Sequence, residues 1–90
     1  MFIPSEFTLG GLTWKVVRRK RLKGNYGLCD LKNLKIFILD TLPDELKEQT
    51  FCHELTHAIQ YAMGIHEENH NETYTDALAM FLHQYLNTAK

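Results

Sequence analysis

Residues 53 to 57 read His53-Glu54-Leu55-Thr56-His57, and this stretch decides how the rest of the chain is interpreted. In a helix, residues four positions apart lie one above the other, so the two imidazoles share one face. Two imidazoles placed in this way can bind one Zn²⁺ ion at about 2.0–2.1 Å. Glu54 lies about 100° round the helix from His53. This position lets its carboxylate reach a metal-bound water without being a metal ligand. The motif therefore predicts a helix that carries a metal site.

The surrounding residues support a helix over residues 43–63. Thr41 is the expected N-terminal cap, an early proline and acidic residues follow it, and Gly64 is the expected stop. On a helical wheel the two histidines and Gln60 share one face. The opposite arc is apolar and predicts the core-facing side: Phe51, Leu55, Ala58, Ile59 and Ala62.

A second helix is predicted over residues 71–87, with Asn71 or His70 near its cap. Its wheel separates a stripe that contains Glu72 and Asp76 from an apolar face. The stripe continues through Ala79 and His83, and the apolar face consists of Tyr74, Ala77, Leu78, Phe81, Leu82 and Tyr85. His83 lies roughly 16 Å along the helix from Glu72, too far to ligate the same metal.

Catalytic zinc needs a third protein ligand. The candidates after the motif are His66, His70, Glu72 and Asp76. Glu72 is preferred because Asp76 shares its helix face, where it can accept the N–H of a ligating histidine. The next residue on the stripe, Ala79, is small enough to let the two helices approach closely.

Residues 1–39 predict a small, mainly antiparallel sheet of three or four strands. Short apolar runs are separated by turns, and the runs at 26–31 and 34–39 are consistent with a hairpin. The run 36–39 has no polar residue, so both of its sides are expected to be covered. The whole chain, residues 1–90, is therefore expected to be a single α+β domain.

The two helical motifs together resemble the gluzincin zinc metallopeptidases, the thermolysin-like clan. His53-Glu54-x-x-His57 is followed by Asn71-Glu72-x-x-x-Asp76, and the short spacing is most similar to minigluzincins and small phage-type ImmA/IrrE-like peptidases. The resemblance implies a minimal zincin-like fold and a metalloendopeptidase that uses Zn²⁺. It implies Glu54 as general base on a zinc-bound water, Glu72 as third ligand and Asp76 as partner of a ligating histidine.

A second resemblance is to the SprT-like proteases. Their third ligand is a histidine in the region that follows the motif, which makes His70 the alternative to Glu72, and those proteins act at DNA. A further alternative is a zinc-stabilised regulatory or nucleic-acid-binding module without turnover.

Charge is divided unevenly along the chain. Residues 1–39 carry eight basic and two acidic side chains, whereas residues 40–90 carry two basic and nine acidic ones. The basic stretch 15–23 could contact nucleic acid, but a solvated strand end whose charges protect a sheet edge from pairing is favoured because no nucleic-acid motif accompanies it. The partner expected from the motif is a peptide or protein substrate.

No membrane helix and no signal peptide are apparent, so a cytoplasmic protein is expected. Cys29 and Cys52 are then expected to be reduced.

The substrate is expected to lie extended against an edge of the sheet, along either 26–30 or 34–39. The residues considered as donors to a developing oxyanion are Tyr26, Tyr61, His66, His70 and Tyr74.

Overall fold

The computed structural model describes residues 2–64 and 71–90. In this part of the chain four strands precede two helices: β1 (Glu6–Leu9), β2 (Leu12–Arg19), β3 (Gly27–Asp30), β4 (Lys35–Leu39), α1 (Asp44–Ala62) and α2 (Glu72–Thr88). The predicted α+β class is confirmed, and each helix lies within one residue of its expected bounds.

The sheet has the strand order β1-β2-β4-β3. Its outer pairs, β1–β2 and β3–β4, are antiparallel, and the second of these is the predicted hairpin. The central pair, β2–β4, is parallel. Gly10 and Gly11, both with positive φ, form the two-residue turn between β1 and β2, where the strand twist favours such a backbone. The sheet is therefore mixed, and β4 lies in its interior.

The core lies between the sheet and α1. Ile36 and Ile38 of β4 are fully buried and cluster with Trp14, Phe51 and Ala58. The expectation that both sides of β4 are covered is confirmed in full only for the side of Ile36 and Ile38, on which α1 packs.

The opposite side of β4 is only partly covered. Phe37 is half-buried there, and the Arg19 guanidinium lies 5.3 Å from the centre of its ring. The long Arg19 side chain therefore shields this ring on the side where the sequence analysis expected full coverage.

The N-terminus of α1 differs from the expectation. Pro43 is the N-cap residue, and no side chain caps the helix. The expected Thr41 cap was wrong because it precedes the first helical residue by three positions. The backbone of Pro43 (φ −58°) already directs the chain into the helix, and Asp44 and Glu45 provide acidic groups for the first turn. Gly64 stops the helix as predicted: it has positive φ (+83°), and its N–H donates to the Tyr61 carbonyl at 2.9 Å.

The N-terminus of α2 confirms the predicted cap. The Asn71 side chain accepts a hydrogen bond from the Tyr74 N–H at 3.1 Å. From there α2 packs against α1 through the buried residues Thr75 and Ala79. The described part of the chain is thus layered in the order sheet, α1, α2, and His53, His57 and Glu72 lie between the two helices.

Neither helix in the described residues has the length and apolar character that a membrane crossing requires.

Candidate metal centre

Three predicted ligands converge between α1 and α2. His53 and His57 lie one turn apart on α1, and Glu72 is the first residue of α2. The Nε2 atoms of the two histidines are 3.2 Å apart, and Glu72 Oε1 lies 3.0 Å from His53 Nε2 and 3.8 Å from His57 Nε2. Among residues 2–64 and 71–90, these three residues form a group of potential metal ligands. Each offers one ligand atom, and the three atoms lie within 4.8 Å of one another.

The donor set fits a zinc ion. At bond lengths of 2.0–2.1 Å, two ligand atoms on a tetrahedral centre are about 3.3 Å apart. The three observed separations, 3.0, 3.2 and 3.8 Å, lie on both sides of that value. Two imidazole nitrogens and a carboxylate are also ligands that zinc prefers, and all three remain partly accessible to solvent. These residues could therefore hold a metal ion and leave a coordination position open.

Asp76 contacts the other ring nitrogen of His53. Its Oδ1 lies 2.9 Å from His53 Nδ1, one helical turn beyond Glu72. A carboxylate at this nitrogen places the proton on Nδ1 and leaves the Nε2 lone pair for a metal. The structure therefore brings Asp76 into contact with one of the two histidines of the motif.

Glu54 is buried beside this group. Burial, more than any other cause, raises the pKa of its carboxyl to about 7; the neighbouring Glu72 also raises it, and His53 lowers it. A carboxyl with this pKa can both accept and release a proton near neutral pH. Glu54 is thus a buried, titratable carboxyl beside the three potential ligands and is not one of them.

A cleft of about 280 Å³ separates α1 from β3 and opens beside His53 and Glu54. The other lining residues are Tyr26, Gly27, Gln49 and Thr50. Within residues 2–64 and 71–90, β3 is an edge strand and β4 is interior, so of the two segments that the sequence analysis left open it is β3 that borders the cleft with an edge not paired in this part of the chain. The cleft therefore joins the proposed general base to this strand edge.

Two features of the site were missed by the sequence analysis. The Thr75 hydroxyl donates to Gln60 Oε1 at 3.1 Å, and this buried hydrogen bond joins α2 to α1 below the ligands. Gly27 approaches α1 so closely that a Cβ atom there would lie 2.6 Å from Thr50 Cγ2 and 3.1 Å from Glu54 Cγ. The position of Gln60 on the histidine face was a signal for the first, but no sequence signal indicated the second.

The candidate oxyanion donors are scattered. Tyr26 lines the cleft, Tyr61 packs edge-on against the Trp14 ring, and Tyr74 is exposed on α2. His66 and His70 lie outside the described residues. Of the described tyrosines considered, Tyr26 alone lines the cleft with Glu54.

His83 has a separate role. Its Nε2 atom lies 3.3 Å from Glu48 Oε1, and both side chains are largely buried between α1 and α2. The contact joins the C-terminal half of α2 to the first half of α1, in agreement with the prediction that His83 is too distant to be a ligand.

Neither Cys29 nor Cys52 forms a disulfide in the structure. Burial raises the pKa of Cys29 to about 12 and that of Cys52 to about 11, with smaller contributions from nearby carboxylates. Both thiols therefore stay protonated at neutral pH and are poor metal ligands and poor nucleophiles.

Two residues of the basic stretch form ion pairs with acidic residues of the same chain. Lys15 pairs with Glu6 at 3.3 Å, and Arg18 approaches Asp40 at 3.7 Å. Because β2 is paired on both sides, these charges do not protect a sheet edge from pairing, and that part of the interpretation was wrong.

The fold and the site define the class of protein: a small α+β domain whose two-histidine helix and facing carboxylate are those of a zincin-like metallopeptidase-related domain. The chain belongs to the SprT-like family, whose sequence model matches residues 5–88. This is the family that the sequence analysis considered second, and the closer resemblance to minigluzincins and ImmA/IrrE-like peptidases is not confirmed. Searches of curated proteins and of solved structures give no significant match.

Proposed function

We propose that this chain is a single minimal zincin-like domain that hydrolyses peptide bonds with a zinc ion bound by His53, His57 and Glu72. The observation that carries the proposal is the approach of two Nε2 atoms to 3.2 Å with a carboxylate oxygen 3.0 Å from one of them. Family membership over residues 5–88 supports the same chemistry. When bound, zinc would polarise the scissile carbonyl and lower the pKa of a water molecule towards about 7.

Glu54 supplies the proton transfers. Its carboxylate takes a proton from the attacking water, holds it on an oxygen inside the buried side of the cleft, and passes it to the leaving amine. Asp76 holds the Nδ1 proton of His53, which keeps that ring oriented. Tyr26 lines the cleft, and we infer that its hydroxyl donates a hydrogen bond to the substrate's carbonyl oxygen.

The peptide substrate binds along the outer edge of β3. The Leu39 N–H donates to the Tyr26 carbonyl, so Tyr26 points its backbone groups toward β4. Because backbone groups alternate in direction along an antiparallel strand, those of Gly27 and Cys29 point away from β4. An extended peptide would pair with these two residues, and its scissile bond would lie beside Glu54.

Metal content tests the ligand assignment. Purified protein is expected to hold one zinc per chain, and His53→Ala is expected to lose it. His83→Ala is the matched control, because it removes a histidine that joins the same two helices without touching the site. Equal zinc in His53→Ala and the unaltered protein would contradict the proposal.

Peptide hydrolysis tests the general base. Glu54→Gln is expected to retain zinc and lose activity on a fluorogenic peptide library by about 10²–10⁴-fold, because it can no longer accept a proton. Glu45→Gln, an exposed change in the first turn of α1, is expected to leave the rate unchanged. Full activity of the Glu54→Gln protein would refute this mechanism.

A second ligand set is favoured by the family match, since the SprT-like resemblance implies a histidine as third ligand. In that case His70 replaces Glu72, and the reaction is otherwise the same. Zinc measured in Glu72→Ala and in His70→Ala separates the two sets. Loss in Glu72→Ala with retention in His70→Ala supports Glu72, and the reverse pattern supports His70.

A DNA-associated role is the remaining candidate. The observation behind it is the group of basic residues at the end of β2. Salt-dependent binding to DNA together with hydrolysis would indicate a protease that acts at DNA. Salt-dependent binding with bound zinc and no hydrolysis would indicate a non-catalytic module.

A further inference from the structure

The face of α2 that points away from α1 is apolar and exposed. Tyr74, Leu78, Phe81 and Tyr85 have exposed fractions of 59, 42, 63 and 66%, and we call these four residues the outer stripe. At about 100° per residue they fall within an arc of roughly 60°. The residues that α2 buries, Thr75 and Ala79, lie on a different side of the helix. The sequence analysis predicted this apolar face, and the structure leaves it uncovered in the described residues.

The spacing of the outer stripe is that of a helix that pairs with another helix. Its members are separated by four, three and four residues, which is the spacing of the apolar seam in a coiled coil. The order of these separations is the same in both chain directions, so an antiparallel second copy presents the same pattern of residues. An antiparallel copy would place Tyr74 opposite Tyr85 of the partner subunit and Leu78 opposite Phe81 of the partner subunit.

Charge does not oppose such a pairing. Residues 77–88 contain no Asp, Glu, Lys or Arg, so two copies of this segment bring no like charges together. The acidic residues of α2, Glu72 and Asp76, are engaged with His53 on the side that faces α1. A second copy on the outer stripe would therefore leave the metal centre and the cleft open.

The exposed area is sufficient for a weak dimer. An aromatic side chain buries about 150–250 Å² when fully covered, so three that are about 60% exposed offer on the order of 350 Å². With Leu78 and the flanking Ala77 and Leu82, the outer stripe offers roughly 500 Å² per copy, or about 1,000 Å² for the pair. This total lies at the lower end of specific interfaces and predicts a dissociation constant on the order of tens of micromolar.

We propose that α2 pairs with α2 of a second copy of this chain, antiparallel and along the outer stripe, to form a two-fold symmetric dimer. The interface is isologous, because each copy contributes the same four residues. This assembly is independent of the proposed peptidase activity, since it uses neither the ligands nor Glu54.

Sedimentation over protein concentrations from about 1 to 500 μM tests the proposal. The mass is expected to rise from 10.5 kDa toward twice that value, and Phe81→Asp is expected to keep it at 10.5 kDa throughout. Met80→Asp is the matched control: Met80 is as exposed (61%) but lies about 120° away from the outer stripe. A second variant, Leu78→Lys, replaces Phe81→Asp if circular dichroism shows that the latter is unfolded. A monomer at every concentration, or equal loss of dimer in the Met80→Asp protein, would overturn the proposal.

Cysteine cross-linking tests the antiparallel direction. Tyr74→Cys combined with Tyr85→Cys is expected to give a disulfide-linked dimer, in which peptide mass spectrometry finds position 74 joined to position 85. Each single variant is expected to stay uncross-linked, because equivalent positions in the two copies would be about 16 Å apart, beyond the roughly 7 Å that a disulfide spans. Efficient cross-linking of either single variant would indicate parallel pairing and contradict the proposed geometry.

Discussion

Gly27 lies where the backbone of β3 passes closest to the proposed general base. The space for a side chain is occupied by Thr50, Glu54 and the carbonyl oxygen of Phe37, all within 3.1 Å of where a Cβ atom would stand. The absence of a side chain therefore allows the edge of β3 and the Glu54 carboxylate to share one cleft. In this sense Gly27 positions Glu54 without taking part in the chemistry.

Gly27→Ala is predicted to lower kcat for peptide hydrolysis by at least about tenfold while zinc is retained. The added methyl group must displace the Glu54 side chain and α1 at Thr50, and even small displacements of a reacting group are costly. Adding Thr50→Ser removes the Cγ2 atom of the closest contact and is expected to restore part of the rate. Rates should be compared at equal zinc occupancy. An unchanged kcat in Gly27→Ala would show that the close approach has no role in positioning Glu54.

At the scale of elements, the position of α2 against α1 decides whether a third ligand can meet the two histidines. The buried Gln60–Thr75 hydrogen bond and the Glu48–His83 contact lie toward opposite ends of this interface. Since Glu72 is in the first turn of α2, any shift of this helix changes the distances in the metal centre. The Gln60–Thr75 hydrogen bond lies only three residues from Glu72 along α2, so it is the contact that connects helix packing to metal binding.

Thr75→Val is predicted to destabilise the protein by about 1–3 kcal/mol and to weaken zinc binding. The change leaves the buried Gln60 amide without its partner, and an unsatisfied buried polar group costs about that much. Chemical unfolding and zinc titration measure the two effects. Thr73→Val, an exposed change on the same helix, is the control and should alter neither. Equal behaviour of the two variants would contradict a role for this hydrogen bond.

The Glu48–His83 contact predicts a pH-dependent contribution to stability. Partial burial by itself would raise the pKa of Glu48, but hydrogen bonds, of which the one from His83 contributes most, oppose it, and the pKa lies below its ordinary value of 4.5. An acid whose folded pKa is lowered stabilises the fold above its unfolded pKa and loses that contribution as pH falls through the folded value.

Glu48→Gln is therefore expected to lower the free energy of unfolding more at pH 7 than at pH 3. Urea unfolding at both pH values measures the difference. Glu45→Gln provides the control in the same helix, and for it we expect a smaller change between the two pH values. A Glu48→Gln effect that is equal at both pH values would contradict the assigned role of the carboxylate.

At the scale of the whole molecule, a bound metal would join two helices of a domain with a small core. A chain of 90 residues buries only about 60–65% of its unfolded surface, so its stability from packing is modest. The proposed ligands come from both helices, and binding to the folded state alone would add stability by mass action.

Zinc at about 100 times its dissociation constant is predicted to stabilise the fold by about 2.7 kcal/mol, which raises Tm by roughly 10–20 °C. Differential scanning calorimetry with zinc and then with a chelator measures this shift. In His53→Ala the shift should disappear, whereas His83→Ala should retain it. A similar shift in both variants would place the stabilising ion elsewhere.

Relations within one segment could be predicted from the sequence. The shared face of His53 and His57, the cap at Asn71 and the stop at Gly64 depend on residues a few positions apart. Helix geometry relates such residues whatever the rest of the chain does. The pairing of Glu72 with Asp76 on one face was predictable for the same reason.

Relations between segments were decided only by the tertiary structure. These include the parallel β2–β4 pair, the contact of Gly27 with α1, the Gln60–Thr75 hydrogen bond and the exposure of the outer stripe. Each depends on which of several apolar faces meet, and hydrophobic burial is non-directional, so the pattern of one segment does not specify its partner. The sequence by itself determined that the chain carries potential metal ligands on two helices, and the packing of α2 on α1 decided that three of them meet.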